Sequence, residues 1–201
     1  MSHLAFHAVV VVLGILSMGF QLLASRLLNP HFGSSIVVWA WLISTFLAAF
    51  SAGSILGGII SNLPDTLRRR AGLACALVAV ATLGIVAFLG RTLLAGIESA
   101  FTDVGVAIAV SCVGIFFLPV TALSTFGPQC VQYLASRGTP PGKASGVVYG
   151  VSTLGNIAGV MLTAFVLIPH LPVSTLLLLW LVVAFVSLAV LLRLIRPAAA
   201  S

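Results

Sequence analysis

The chain has 201 residues, of which 61% are hydrophobic and only 6% are charged, and its mean hydropathy is +1.27. Soluble domains carry about 25% charged residues, so this composition excludes an ordinary soluble domain and indicates an integral membrane protein. The nine Lys and Arg exceed the three Asp and Glu, but they are scattered over the loops and form no stripe of the kind that binds nucleic acid. We therefore expect the lipid bilayer, and no nucleic acid, as a partner of this chain.

Six apolar stretches follow one another along the chain, and each is long enough to cross the hydrocarbon core of a bilayer as a helix. They cover residues 5–28, 36–60, 71–90, 104–124, 144–168 and 173–194. Polar segments or helix breakers separate them. No Lys or Arg precedes the first stretch and no small-residue cleavage site follows it, so we expect a retained helix rather than a signal peptide. The sequence predicts an all-α membrane protein, with six transmembrane helices in one domain over residues 1–201.

The positions of the cations predict the orientation, because cytoplasmic loops of membrane proteins are enriched in Lys and Arg. If the N-terminus is cytoplasmic, only Arg26 and Arg91 face outside. Seven cations then face the cytoplasm, namely Arg68, Arg69, Arg70, Arg137, Lys143, Arg193 and Arg196. The first helix alone favours the reverse orientation, since its only cation lies at its far end. Because seven cations against two favour a cytoplasmic N-terminus, we predict a multi-pass protein of the bacterial inner membrane with both termini in the cytoplasm.

An internal sequence match links the second and fifth helices. Residues 54–60 share Ser, Leu, Gly and Ile with residues 152–158 at four of seven positions, with an offset of 98 residues. Because this offset spans three helices, an odd number of crossings, the second copy has inverted topology. The match predicts two inverted three-helix repeats. Chance is the alternative, since these four residue types are abundant in the chain.

The same two helices are rich in glycines, some of which lie in pairs four residues apart and therefore share one helix face within each pair. They are Gly53, Gly57 and Gly58 on the second helix and Gly146, Gly150, Gly155 and Gly159 on the fifth. Within a membrane, small residues allow two helix backbones to approach closely. Two interpretations are open at this point. The glycines form contacts between helices of one chain, or they form a subunit interface or line a cavity.

No catalytic constellation is evident. The three acids, Asp65, Glu98 and Asp103, lie in predicted loops or at helix ends, and no nucleophile is paired with a base. The four His and three Cys match no metal-binding or redox spacing. We therefore expect neither enzymatic activity nor a metal or other cofactor.

Polar side chains within the predicted helices are the candidates for binding a solute. Those that we select are Gln21, Arg26, Tyr149, Ser152 and Asn156. Arg26 is the one charged member, and its side chain is able to bind an anionic group or to pair across the bundle. Extension of Arg26 to the outer headgroups is the alternative, because a long cationic side chain near a helix end commonly reaches the interface.

Two stretches of the sequence resemble one known family. The first stretch covers residues 21–35, with Trp39 and Gly57-Gly58 after it, and the second has Gly142, Gly146 and residues 149–159, with Leu167-Ile168-Pro169 after it. Together they resemble the membrane-bound spermidine-synthase-like proteins, in which a half-size major-facilitator-like bundle usually precedes a soluble aminopropyltransferase-like domain. The resemblance spans essentially all six helices and implies such a bundle here.

The chain departs from this family at three points. Gln21 stands where the family commonly has Glu, and Asn62 stands where the major-facilitator loop signature has Asp. The synthase domain is absent from the sequence. We therefore do not expect the family's aminopropyl transfer from this chain.

Two functions are compatible with these observations. In the first, the chain homodimerises into a twelve-helix transporter-like assembly that binds or moves a small neutral or anionic solute. In a full major-facilitator bundle the second and fifth helices of each half face the other half, so the glycine stripes suit this dimer. In the second, the chain is a non-transporting accessory subunit that packs against a larger membrane complex or a separate synthase-like partner.

Overall fold

A computed structural model describes residues 2–195 as six long helices joined by short turns. The helices are α1 (Ser2–Phe32), α2 (Ile36–Ser61), α3 (Asp65–Ala100), α4 (Val104–Ala135), α5 (Pro141–His170) and α6 (Val173–Leu194). All six are long and apolar enough to cross a membrane. The prediction of an all-helical, multi-pass membrane protein is thus confirmed. Met1 and residues 196–201, which include the predicted cytoplasmic cation Arg196, lie outside the described residues.

Several helices are longer than the sequence predicted, whereas α6 has the predicted bounds. Helix α3 runs through the polar residues at both of its ends and has 36 residues. At 1.5 Å per residue it is about 54 Å long, which exceeds the hydrocarbon thickness of about 30 Å. Helix α4 continues eleven residues beyond the predicted end, to Ala135. The reason is that hydropathy marks only the part of a helix inside hydrocarbon, while the backbone hydrogen bonds continue into the headgroup region.

Local sequence explains where the helices begin and end. Gly33 has φ +70° in the turn after α1, a conformation that other L-residues rarely adopt. The Ser35 hydroxyl then accepts a hydrogen bond from the Val38 N–H at the start of α2. At the start of α4, the Asp103 carboxylate accepts one from the Val106 N–H at 3.0 Å. These side chains satisfy N–H groups that would otherwise lack partners.

Two π-helical turns interrupt the regular α-geometry, at Cys112–Phe116 in α4 and at Thr163–Leu167 in α5. A proline follows each of them closely, Pro119 in α4 and Pro169 in α5. Proline lacks an N–H, and its ring clashes with the carbonyl four residues earlier. A wider turn before the proline accommodates this clash without ending the helix.

The centre of the bundle is a cluster of phenylalanine rings from three helices. The ring centroid of Phe20 lies 5.9 Å from that of Phe46 and 5.9 Å from that of Phe116. All three side chains are at most 1% exposed. Helix α4 is the most buried of the six spans and α5 the least. The cluster therefore fixes α1, α2 and α4 around a common core.

Close backbone contacts join α1 to α5 and α2 to α4. A Cβ atom on Gly155 would overlap the carbonyl oxygen of Val11, and one on Gly14 would overlap that of Ser152. On the other side of the bundle, a Cβ on Gly57 would overlap the carbonyl oxygen of Thr125. Helices α1 and α4 also pack against α6 and α3, respectively, and α3 packs against α6. The glycines thus allow two helix pairs to approach at backbone distance.

Burial recurs along the chain at a spacing of 106 residues. Helix α1 has eleven buried positions between Phe6 and Leu28, and each has a buried counterpart 106 residues later, from Cys112 to Leu134. The five buried positions of α5 likewise correspond to buried positions of α2. The helix contacts follow the same relation. A shift of 106 residues relates α1 to α4 and α2 to α5, so the contact between α1 and α5 corresponds to the contact between α4 and α2.

We predict that Gly155→Ala destabilises the protein, because the added methyl group would overlap the backbone of α1. Overpacking of this kind costs about 1–3 kcal/mol, and each kcal/mol lowers the unfolding temperature by about 2–4 °C at this chain length. Thermal unfolding in detergent measures the effect. The matched control is Gly96→Ala in α3, where nothing beyond the neighbouring backbone of the same helix lies within 4 Å of the Cβ position. An equal unfolding temperature for Gly155→Ala and the control would contradict the close approach.

Candidate functional site

A cavity of about 220 Å³ lies between α1, α2, α4 and α5. Of the described residues, none from α3 or α6 lines it. Its polar lining consists of Ser17, Ser54, Ser124, Tyr149, Ser152 and Asn156. None of the described lining residues carries a charge at neutral pH, and the remaining walls are mainly apolar. A mostly apolar pocket with a few converging polar groups is the usual form of a site for a small molecule.

Helix α5 supplies three of the polar lining residues because of their spacing. Tyr149, Ser152 and Asn156 follow one another at intervals of three and four residues, which places them on one face of a helix. The same part of α5 carries Gly155, whose close contact with Val11 holds α5 against α1. The glycine contact therefore fixes the position of this polar row relative to α1.

The Asn156 side chain carries an unpaired acceptor. Its Oδ1 atom is buried and has no hydrogen-bond partner within residues 2–195. Two lining hydroxyls donate elsewhere, since Ser17 donates to the Leu13 carbonyl at 2.8 Å and Ser124 to the Val120 carbonyl at 2.7 Å. An unsatisfied buried polar atom costs about 1–3 kcal/mol, and a bound molecule is one of its common explanations. Asn156 thus offers an acceptor for a donor group on a ligand.

The structure brings together three of the five predicted binding residues. Tyr149, Ser152 and Asn156 line this cavity. Arg26 instead lines two other cavities near the end of α1, one with residues of α2 and α5 and one with residues of α3 and α6. Gln21 is half-buried on α1 and lines none of these cavities. Sequence reasoning did not select the other three polar lining residues, Ser17, Ser54 and Ser124. In the sequence, each is only a hydroxyl within an apolar helix. Such a hydroxyl commonly donates to a backbone carbonyl of the preceding helical turn and does not by itself indicate a binding site.

The seven predicted interface glycines divide into two groups. Gly53, Gly57, Gly155 and Gly159 pack against backbone atoms of α4 or α1 in the same chain. For these four, packing within the chain replaces the subunit-interface interpretation, because another subunit has no access to a backbone that is already covered. The other three are Gly58, Gly146 and Gly150, and within the described chain nothing beyond the neighbouring backbone of their own helix lies within 4 Å of a Cβ position.

Fold and cavity together define a multi-pass membrane protein with an uncharged polar site lined by four of its helices. No family model, no curated protein and no solved structure matches the chain. Among the side chains that the structure describes, those of residues 4–195, no three His, Cys, Asp or Glu lie close enough to hold a metal ion. The function must therefore be argued from the residues of the site.

We predict that Asn156→Leu raises the stability of the unliganded protein, because a side chain of similar shape replaces the unpaired buried acceptor. The expected gain is about 1–3 kcal/mol in the free energy of unfolding, measured as a higher unfolding temperature in detergent. The matched control is Asn62→Leu, at the exposed end of α2, where the amide donates to the Gly58 carbonyl and no gain is expected. A lower stability of Asn156→Leu would indicate that Oδ1 already has a partner, such as an ordered water.

Proposed function

We propose that this chain is a half-size, major-facilitator-like bundle that homodimerises and binds or moves a small, uncharged, polar solute. The observation that carries the proposal is the cavity lined by Tyr149, Ser152 and Asn156, together with the unpaired acceptor of Asn156. The absence of a charged group from the described lining favours a neutral solute over an ion. The proposal includes no catalytic step and no cofactor.

Two pairs of contacts support an inverted repeat of three helices. Gly53 packs on the Thr121 carbonyl. The residue 106 positions after Gly53 is Gly159, the residue 106 positions before Thr121 is Ile15, and these two are also in contact. The same exchange converts the contact of Gly57 with Thr125 into one of Thr163 with Gly19, whose Cβ position lies 2.8 Å from Thr163 Oγ1. This spacing of 106 residues replaces the offset of 98 residues suggested by the sequence match. A repeat of three crossings turns the second copy over in the membrane.

The distribution of polar and apolar surface supports a dimer through α2 and α5. The outer faces of α3 and α6 expose large apolar side chains suited to lipid, such as Phe88 at 70% and Phe185 at 59% exposure. Helices α2 and α5 also expose large apolar side chains, but between these they expose Ser51, Tyr149 and Thr153 within their spans. Polar groups that face hydrocarbon are unfavourable, so a second copy is expected to cover them. The uncovered glycines Gly58, Gly146 and Gly150 lie on these same helices.

The resemblance to the membrane domain of spermidine-synthase-like proteins agrees with this proposal, since that domain is also a half-size bundle. We further propose the bacterial inner membrane as the location, with both termini in the cytoplasm. The separation of cations supports this orientation, because Arg26 and Arg91 line one cavity at the opposite end of α3 from Arg68 and Arg69. An accessory subunit that packs against an unlike partner through the uncovered glycines is the second candidate.

A cysteine cross-link tests the dimer. In a cysteine-free background, Ile55→Cys combined with Leu154→Cys places thiols on the exposed faces of α2 and α5, which are 64% and 66% exposed. A short bifunctional thiol reagent in native membranes is expected to give a band at twice the 20.7 kDa of the chain. Leu77→Cys combined with Phe185→Cys, on α3 and α6, is the control and is expected to stay monomeric. Adducts with other proteins, and no homodimer, would favour the accessory subunit.

A thermal-shift screen tests the cavity. Purified protein is titrated with small amides, polyols and neutral amino acids, and a bound solute is expected to raise the unfolding temperature by mass action. We expect Asn156→Leu to weaken binding of that solute about tenfold or more, because a buried hydrogen bond is lost. Ser99→Leu, which alters an exposed residue near the end of α3, serves as the control. Equal affinities for both variants would place the solute outside this cavity.

A further inference from the structure

A group of cations lies at one end of the bundle, apart from the central cavity. A second cavity of about 310 Å³ is lined by Arg26, Leu27, Pro30 and His31 of α1, Arg91 of α3 and Val173 of α6. Arg26 also lines an adjoining cavity of about 340 Å³ between α1, α2 and α5. Neither cavity shares a lining residue with the central one. This end of the molecule therefore forms a separate candidate site.

The two arginines have no counter-charge within the described part of the chain. Glu98 contacts His31, with 2.6 Å between its Oε2 and the Nδ1 of the ring. Asp65 pairs with Arg68, and Asp103 caps α4. These are the only three acids of the sequence. Hence, among residues 2–195, no carboxylate lies within 4.0 Å of either Arg26 or Arg91.

The contact between His31 and Glu98 explains why the arginines share a cavity. Glu98 lies seven residues after Arg91, or two helical turns, so both occupy the same face of α3. The contact of Glu98 with His31 joins that face to the end of α1. Arg91 is thereby brought to the cavity that Arg26 lines, although 65 residues separate the two in the sequence.

Two arginines that line one cavity, with no carboxylate within 4.0 Å of either, favour an anion with several oxygens. A guanidinium presents its N–H groups as a planar fork that binds two phosphate oxygens at once. The hydroxyl of Ser34 and the amide of Asn29, which line the adjoining cavity with Arg26, are further possible donors. Leu27, Pro30 and Val173 form apolar walls beside the arginines. A phosphate attached to an apolar group fits this combination of charge and surface.

We propose that Arg26 and Arg91 bind a phosphate group at this end of the bundle. An anionic phospholipid headgroup and a soluble phosphate ester share this chemistry, and the apolar walls are the feature that suits a lipid. Extension of Arg26 alone to the lipid headgroups does not explain why arginines of two helices, Arg26 and Arg91, line one cavity. The site does not depend on the function proposed for the central cavity.

Delipidated protein in a neutral detergent tests the proposal. Its unfolding temperature is measured against increasing phosphatidylglycerol, with phosphatidylcholine as the uncharged reference and with inorganic phosphate and glycerol 3-phosphate as soluble probes. We expect phosphatidylglycerol to stabilise the protein more than phosphatidylcholine does. Arg26→Gln and Arg91→Gln are each expected to raise the half-maximal lipid concentration about tenfold, as expected for loss of a charged hydrogen bond.

Arg193→Gln, on an exposed residue near the end of α6, is the matched control and is expected to keep the response of the original protein. A response to the soluble probes that also depends on both arginines would support the proposal and identify a soluble ester as the ligand. An equal response of all variants to every probe would overturn it, and so would an absence of any response. If one variant fails to fold, the other carries the same test, since the two arginines lie on different helices.

Discussion

The fold depends on the close approach of helix backbones at two glycine-lined contacts. Lipid tails are as apolar as the side chains of the protein, so the hydrophobic effect does not hold transmembrane helices together. Van der Waals contact at short distance must do so instead. Gly155 and Gly159 bring α5 onto α1, and Gly53 and Gly57 bring α2 onto α4. The phenylalanine cluster between α1, α2 and α4 then fills the space that these contacts enclose.

The same contacts determine what the bundle presents to a ligand. Gly155 and Asn156 are neighbours in α5, so the residue that touches α1 and the residue with the unpaired acceptor move together. The central cavity is uncharged, whereas the cavities near the end of α1 contain arginine. The protein therefore separates an uncharged polar environment from a cationic one along its length. Each environment selects a different chemical class of molecule.

The six helices could be predicted from the sequence because hydropathy reports directly which segments prefer hydrocarbon. Their ends could not, since α3 continues as a helix through Arg91 and Glu98 where the polarity changes. Glycine spacing predicted close packing without identifying the partner, because a small side chain favours the approach of any backbone. The sequence drew attention to Arg26 but not to its pairing with Arg91, since only the tertiary structure brings these distant residues to one cavity.

Each glycine-lined contact joins the first three helices to the last three. Gly14 of α1 meets α5, and Gly53 of α2 meets α4. Neither half of the chain can thus complete its closest packing alone. During synthesis on the ribosome, α1 must remain in the bilayer without its main neighbour until α5 has been inserted. A chain truncated before α5 would consequently leave this surface of α1 uncovered, and we expect it to be less stable than the full bundle.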